Sequence, residues 1–83
     1  MEKSKSFFLS PAKRFEATRV VLNMSLGRIS KELGTSRHIY KNVVTGRTLL
    51  PAEWVSYMEE KYRVSYNWVL LGRGDMFIPR LPQ

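Results

Sequence analysis

The sequence predicts an all-α fold, in the form of a compact bundle of four to five short helices. Apolar residues recur three and four positions apart in several short segments, which is the period of an amphipathic helix. Serine, proline and glycine separate these segments at positions that are typical of helix starts and stops. No alternating apolar and polar run is bounded by a hairpin turn, so no strand is predicted. At 83 residues the chain forms one domain with one small core.

The first helix is predicted to begin at Ser10 and Pro11. Serine is a preferred N-cap, and proline is accepted at the first helical position because its missing N–H would have no partner there. Phe15, Arg19 and Leu22 then follow at spacings of four and three and share one face. We therefore expect a helix from residue 11 whose inner face includes Phe15.

The second and third helices are short and closely spaced. Ser25 caps the second helix, and Gly34 suits the left-handed conformation that ends it. Thr35 or Ser36 caps the third helix, and Gly46 ends that one. Four apolar residues of these two helices are predicted to point inward: Ile29, Leu33, Tyr40 and Val43.

Two further helices follow. Pro51 begins the fourth, with Glu53 in its first turn, where the helix dipole favours an acid. Ser65 caps the fifth, which runs to Gly72, and residues 73–83 are predicted to be a tail that trails away or the start of a linker. The helices thus place the domain at residues 10–72. Its predicted core consists of Phe15, Ile29, Leu33, Tyr40, Val43, Trp54, Trp68 and Leu71.

The positive charge of the chain lies in its first part. Residues 1–50 contain ten Lys and Arg and three acids, for a net charge of +7, whereas residues 51–83 contain four of each and are neutral. A basic domain with its charge on one side attracts a polyanion, most often nucleic acid. The alternatives are an anionic membrane surface and a solvated face that serves solubility alone.

Several classes of site and function lack support in the sequence. Without cysteine there is no disulfide or thiolate metal site. The scattered acids and the single histidine, His38, indicate neither a catalytic constellation nor a metal centre, so we expect no enzyme and no cofactor. No apolar run reaches the roughly 20 residues of a membrane span, and Phe7 to Leu9 is too short for a signal-peptide core. We expect a cytoplasmic protein with no membrane partner.

Residues 1–9 are predicted to be a flexible arm. Within it, Phe7 and Phe8 have three interpretations: a disordered segment, a packed lid or a dimer contact.

The third helix has the chemistry of a DNA-reading element. If Tyr40 and Val43 face inward, five polar residues point outward or flank the inward face. These are Arg37, His38, Lys41, Asn42 and Thr45. Arginine can form two hydrogen bonds with guanine and asparagine two with adenine, and a helix enters the major groove, which is about 12 Å wide. The N–H groups at the start of a helix suit a phosphate.

Two blocks of the sequence resemble a known family. Residues 24–46 read MSLGRISKELGTSRHIYKNVVTG, which resembles the helix-turn-helix of the lambdoid phage repressor and Cro family, also called the XRE family. The caps, the inward apolar residues and the glycines match without a gap. Residues 62–77, YRVSYNWVLLGRGDMF, are similar to the fifth helix and tail of the family. The resemblance covers roughly residues 11–77 and implies a lambda-repressor-like DNA-binding domain.

The resemblance implies a role for individual residues. Arg37, His38 and Asn42 stand at positions that contact base edges, and Lys41 on the outward face is able to reach a base or a phosphate. Those expected to contact phosphates are Arg28, Ser36, Thr45, Gly46, Arg47 and Thr48. The implied function is that of a sequence-specific transcriptional regulator of the phage or prophage repressor type. It would bind a double-stranded DNA operator as a homodimer, with half-sites about 34 Å apart.

Two positions depart from the family pattern. Leu26 stands where many members have a glutamine that contacts phosphate. Val44 stands where many have a glutamate that pairs with an arginine of the first helix. Arg19 supplies that arginine, so we expect it to pair with Glu16 or with a phosphate instead.

Two other interpretations remain open. An antitoxin or adaptor on the same fold would bind a protein partner through the fifth helix and the tail, where Met76, Phe77 and Ile78 are expected to form an exposed apolar tip. Alternatively, the chain is the N-terminal piece of a longer repressor, and the remaining part would supply the dimer contacts.

Overall fold

A computed structural model describes residues 10–79, which form five α-helices. In chain order they are α1 Pro11–Val21, α2 Leu26–Glu32, α3 Arg37–Val44, α4 Ala52–Tyr62 and α5 Tyr66–Leu71. The predicted all-α fold is therefore confirmed. The predicted flexible arm at residues 1–9 and the last four residues of the chain lie outside the described range. Between residues 10 and 79, no helix combines the length and the apolar character needed to cross a membrane.

Four of the helices begin at serine caps that the sequence predicts. In each case the serine hydroxyl accepts a hydrogen bond from the backbone N–H three residues later, at 3.0 to 3.2 Å. These serines are Ser10, Ser25, Ser36 and Ser65. Each bond satisfies one of the N–H groups that lack a partner in the first turn. α4 begins at Ala52, one residue later than predicted, because Pro51 is its N-cap and makes no side-chain hydrogen bond.

Three stacked or tilted aromatic rings at the centre of the core join α1, α3 and α4. The Phe15 ring centroid lies 6.4 Å from that of Tyr40 and 6.1 Å from that of Trp54, and the Tyr40 and Trp54 rings stack at 5.7 Å. All three side chains are buried. Aromatic pairs at such distances contribute about 0.5–1.5 kcal/mol beyond the area they bury, so this cluster fixes where α3 sits.

The core prediction is wrong at one residue. Leu71 is 59% exposed, because it lies two residues, or about 200° around the helix, from the fully buried Val69. Leu33 is half-buried at the end of α2 and packs against the core. Met24 and Val64 are buried although they lie between helices, where helical periodicity carries no signal.

A buried arginine links α1 to α5. Arg14 is 4% exposed, and its guanidinium donates to the Val69 carbonyl at 2.8 Å and to the Leu70 carbonyl at 3.1 Å. Carbonyls in the last turn of a helix have no partner within the helix, and a cation there is favourable to the helix dipole. Burial lowers the pKa of Arg14, but an arginine guanidinium stays charged in a protein. The bonds therefore join two helices that lie at opposite ends of the sequence.

The tail folds back over the connection between α4 and α5. The Ser65 N–H donates to the Met76 carbonyl at 2.8 Å, and the Ile78 N–H donates to the Arg63 carbonyl at 2.7 Å. Together they form an isolated antiparallel bridge. Met76 and Phe77 pack against the core. The predictions of a trailing tail and of an exposed apolar tip are therefore wrong for these residues, because backbone pairing and burial hold the segment in place.

Candidate nucleic-acid interface

The turn between α2 and α3 is four residues long, from residue 33 to residue 36. Gly34 adopts a φ of +70°, which glycine reaches without the steric cost that a Cβ imposes. The Gly34 N–H donates to the Lys31 carbonyl at 3.1 Å, and the Thr35 N–H donates to the Ser30 carbonyl at 2.9 Å. These bonds satisfy carbonyls at the end of α2. The predicted glycine turn thus sets α3 directly after α2.

The ends of α3 explain why the helix is short. The Ser36 hydroxyl accepts from the Ile39 N–H at 3.1 Å, and Gly46 turns the chain at a φ of +88°. Tyr40 and Val43 are buried as predicted. Val44 is buried too, at 9% exposure, and it lines a groove together with Lys41 and with Arg19 of α1. The remaining residues of the helix are left for the outer surface.

The structure leaves the predicted base-contacting residues accessible along α3. Arg37, His38 and Lys41 are exposed, and Asn42 is half-buried. No acidic residue occurs between Glu32 and Glu53 in the sequence, so the chain from the α2–α3 turn to the start of α4 carries only positive charge. The phosphate-contacting residues of the prediction are all exposed as well: Arg28, Ser36, Thr45, Gly46, Arg47 and Thr48.

Arg37 lies against α2. A Cβ added to Gly27 would come within 2.8 Å of the Arg37 Nη2 atom, so a larger residue at position 27 would require the end of this flexible side chain to shift. Glycine in a helix costs about 1 kcal/mol relative to alanine. Sequence reasoning did not single out Gly27, because its close neighbour is ten residues away and on another helix.

The loop after α3 is folded against the end of that helix. The Arg47 and Thr48 N–H groups both donate to the Asn42 carbonyl, at 2.8 and 3.2 Å. The Gly46 N–H donates to the Val43 carbonyl at 3.0 Å. The amides are therefore paired within the protein, so the exposed side chains of Arg47 and Thr48 are what this loop offers to a phosphate.

Two hydroxyl groups near α3 differ in whether their hydrogen is available to donate to a phosphate. The Thr45 hydroxyl donates to the Lys41 carbonyl at 2.6 Å, so its hydrogen is already used. The Ser36 hydroxyl accepts the capping bond, which leaves its own hydrogen available. Because a phosphate oxygen needs a donor, Ser36 is the better placed of the two.

A polar network connects α3 to α1. The Tyr40 hydroxyl donates to Glu16 Oε1 at 2.7 Å, and the Arg19 guanidinium donates to both oxygens of the same carboxylate. Arg19 Nη1 also donates to the Met24 carbonyl at 2.7 Å. Burial, followed by the bond to Glu16, raises the pKa of Tyr40 far above its usual range. Of the two partners expected for Arg19, the structure shows Glu16.

A second network joins α2 to α4 through Glu32. The Tyr57 and Tyr62 hydroxyls each donate to the Glu32 carboxylate at 2.8 Å, and Lys61 Nζ lies 3.3 Å from Oε1. Arg28 Nε donates to Glu32 Oε2 at 3.0 Å. Hydrogen bonds, first from Tyr62 and then from Arg28, Tyr57 and Lys61, lower the pKa of Glu32 to about 2 although partial burial opposes the shift.

The same network bears on the phosphate role expected for Arg28. The Arg28 guanidinium is bonded to Glu32 and also donates to the Tyr62 hydroxyl at 3.3 Å. A phosphate would have to compete with this carboxylate for the guanidinium. Arg28 is therefore a weaker candidate for a phosphate contact than Arg47.

One cation next to α3 was not singled out from the sequence. Lys13 of α1 lines an open groove of about 460 Å³ together with Lys41 and Thr45 of α3. The groove brings together lysines that are 28 positions apart, which local sequence patterns do not reveal. Lys13 thus adds positive charge beside the predicted base-contacting helix.

Comparison of the chain with models of protein families, with curated proteins and with solved structures finds no match.

Proposed function

We propose that the protein is a sequence-specific transcriptional regulator of the phage or prophage repressor type, which binds double-stranded DNA with α3 in the major groove. The observation that carries the proposal is the surface of α3. Its accessible polar residues are Arg37, His38, Lys41 and Asn42, and no carboxylate occurs from residue 33 to residue 52. This combination of hydrogen-bonding groups and positive charge suits base edges and phosphates together.

The proposed contacts divide between bases and phosphates. Asn42 pairs with adenine, and Arg37, His38 and Lys41 contact other base edges or the adjacent backbone. Ser36, Arg47 and Thr48 contact phosphates through their side chains. Each phosphate that a subunit neutralises contributes about −0.9 to the slope of log affinity against log salt, so binding weakens steeply as salt is raised.

The length of α3 favours two copies on one operator. Eight residues at about 1.5 Å per residue span about 12 Å, or three to four base pairs. So few base pairs do not define a unique site, whereas two symmetric half-sites about one helical turn, or 34 Å, apart do. We therefore propose a homodimer on a near-palindromic operator.

The test is selection of bound sequences from a randomised duplex library at two salt concentrations. An enriched, two-fold symmetric site would support the proposal. Weak, salt-sensitive binding without any enriched sequence would refute it and leave only a basic surface.

Two arginine variants then separate the two kinds of contact. Arg37→Ala is expected to lower affinity for the selected site by about 1–3 kcal/mol and to relax one base position, whereas Arg47→Ala is expected to weaken all sequences alike. Arg73→Ala removes an exposed arginine of the tail and serves as the matched control. Unchanged operator selectivity in Arg37→Ala would contradict the base-contacting role of this residue.

A protein partner bound through the tail is not proposed as a second function. That alternative placed the partner on the fifth helix and the tail, and Met76 and Phe77 of the expected apolar tip pack against the core instead.

A further inference from the structure

Ile39 is a large apolar side chain on the outside of the proposed base-contacting helix. It is 50% exposed and lies between His38, which is exposed, and the buried Tyr40. Among the residues of α3, it is the one apolar side chain that the structure leaves exposed. Its surroundings on the helix surface are otherwise polar, so the presence of an exposed apolar side chain among them calls for an explanation.

Folding does not explain an isoleucine at this position. Ile39 is neither in the core cluster nor among the apolar residues that pack against it. Isoleucine is also a weaker helix former than alanine, lysine or glutamine, because its branched Cβ restricts the side chain. The other strongly exposed apolar residues, Val20, Val21, Leu49 and Leu71, lie outside α3.

We infer that Ile39 contacts the methyl group of a thymine in the major groove and so specifies an A·T pair. This inference rests on the proposed function and adds a specificity-determining residue to it. Thymine is the base that presents a C5-methyl group in the major groove, and apolar side chains recognise it by contact. The half-exposed isoleucine matches that chemistry, whereas the polar residues beside it match hydrogen-bonding edges.

The helix geometry limits where this thymine lies. Ile39 and Asn42 are three residues apart, so their Cβ atoms are separated by about 5–6 Å. Base pairs are stacked about 3.4 Å apart. If Asn42 pairs with an adenine, the thymine read by Ile39 lies within about two base pairs of it. The inference therefore predicts a short A·T-containing stretch in each half-site.

The experiment removes each partner of the contact separately, either the thymine methyl group or the isoleucine side chain. Once the operator has been selected with the wild-type protein, each thymine of one half-site is replaced in turn by deoxyuridine, which lacks only the methyl group. Affinity is measured by fluorescence anisotropy for the wild type, for Ile39→Ala and for Val20→Ala. The last variant truncates an apolar side chain of similar exposure, 59%, on α1 and serves as the control.

At one thymine within about two base pairs of the adenine, deoxyuridine is expected to weaken wild-type binding about fourfold, the effect of burying one methyl group. Ile39→Ala is expected to weaken binding to the thymine operator by a similar factor per half-site. Combining the variant with deoxyuridine at that position should bring little further loss, because both changes remove the same contact. Val20→Ala should bind like the wild type.

Additive effects at every thymine, or no loss in Ile39→Ala, would overturn the inference while leaving the proposed function intact. The proposed function fails separately, at the earlier step, if the wild type selects no sequence, and the inference then fails with it. Circular dichroism of Ile39→Ala checks that the helix content is unchanged.

Discussion

Replacing Glu32 with glutamine tests whether the carboxylate stabilises the packing of α2 against α4. Glu32 accepts hydrogen bonds from Tyr57, Tyr62 and Arg28 and lies 3.3 Å from the Lys61 ammonium. Glutamine preserves the size and one acceptor oxygen but removes the negative charge. We expect the variant to fold and to be less stable than the wild type near neutral pH.

The pKa of Glu32 limits the size of this effect. The carboxylate has a pKa of about 2 in the folded protein, against an ordinary value of 4.5. Since one pKa unit corresponds to about 1.4 kcal/mol, the difference is worth at most about 3.5 kcal/mol of folding free energy. Arg28 and Lys61 are 57% and 51% exposed, and solvent screens such pairs. We therefore expect a loss of about 1–2 kcal/mol.

The loss should depend on pH in a defined direction. The folded state keeps Glu32 ionised down to a pKa of about 2, whereas the unfolded chain takes up a proton near the ordinary value. The stabilisation is therefore fully present above about pH 4.5 and disappears as the pH falls to about 2. Urea unfolding of the wild type and of Glu32→Gln is compared at both ends of this range.

The control for the Glu32 variant is Glu60→Gln, which removes an exposed carboxylate of α4. It should change stability by less than about 0.5 kcal/mol at either pH. The difference in the free energy of unfolding between the wild type and Glu32→Gln should shrink to less than about 0.5 kcal/mol near pH 2. A difference that stays constant between the two pH values would refute the argument, because it would show that the charge contributes nothing.

Three further changes test other parts of the fold by urea or thermal unfolding. Arg14→Met removes the charged donors from two carbonyls of α5 and should cost about 2–4 kcal/mol; a loss below about 1 kcal/mol would contradict the proposed link between α1 and α5. Ser30→Ala should raise stability by about 1 kcal/mol, because the buried Ser30 hydroxyl has no partner among the described residues and alanine is the better helix former; destabilisation would show that the hydroxyl makes a contact. Tyr40→Phe keeps the ring stack but removes the bond to the α1 carboxylate, so it should cost about 1–2 kcal/mol, and an unchanged unfolding midpoint would count against that network.

The helix boundaries could be predicted because they depend on interactions within a few residues. Ser36 bonds the N–H three residues later, and Gly34 and Gly46 adopt the positive φ angles that their positions after the helices indicate. The exposed set on α3 was predictable for a related reason. Once the ends of the helix and two inward residues are known, helical geometry gives the outward positions.

Periodicity was less informative where helices are short or where chain segments meet outside helices. Leu71 follows the spacing of Trp68 but is 59% exposed, because a helix of six residues has too few turns to define its buried face. The fold-back of Phe77 onto the α4–α5 connection depends on backbone pairing across an irregular segment. No local pattern in the sequence indicated it.

The sequence by itself determined the all-α class, the serine caps, the glycine turns and the cationic outer residues of α3, because each of these follows from residues within one or two helical turns. Only the tertiary structure decided which polar side chains pair between distant helices. Arg14 meets carbonyls 55 and 56 positions away, Tyr40 reaches a carboxylate 24 positions away, and Tyr62 reaches Glu32 across 30 positions. Such pairs form because the packing of the core brings distant helices together, and many pairings of the same charges are compatible with the same local sequence.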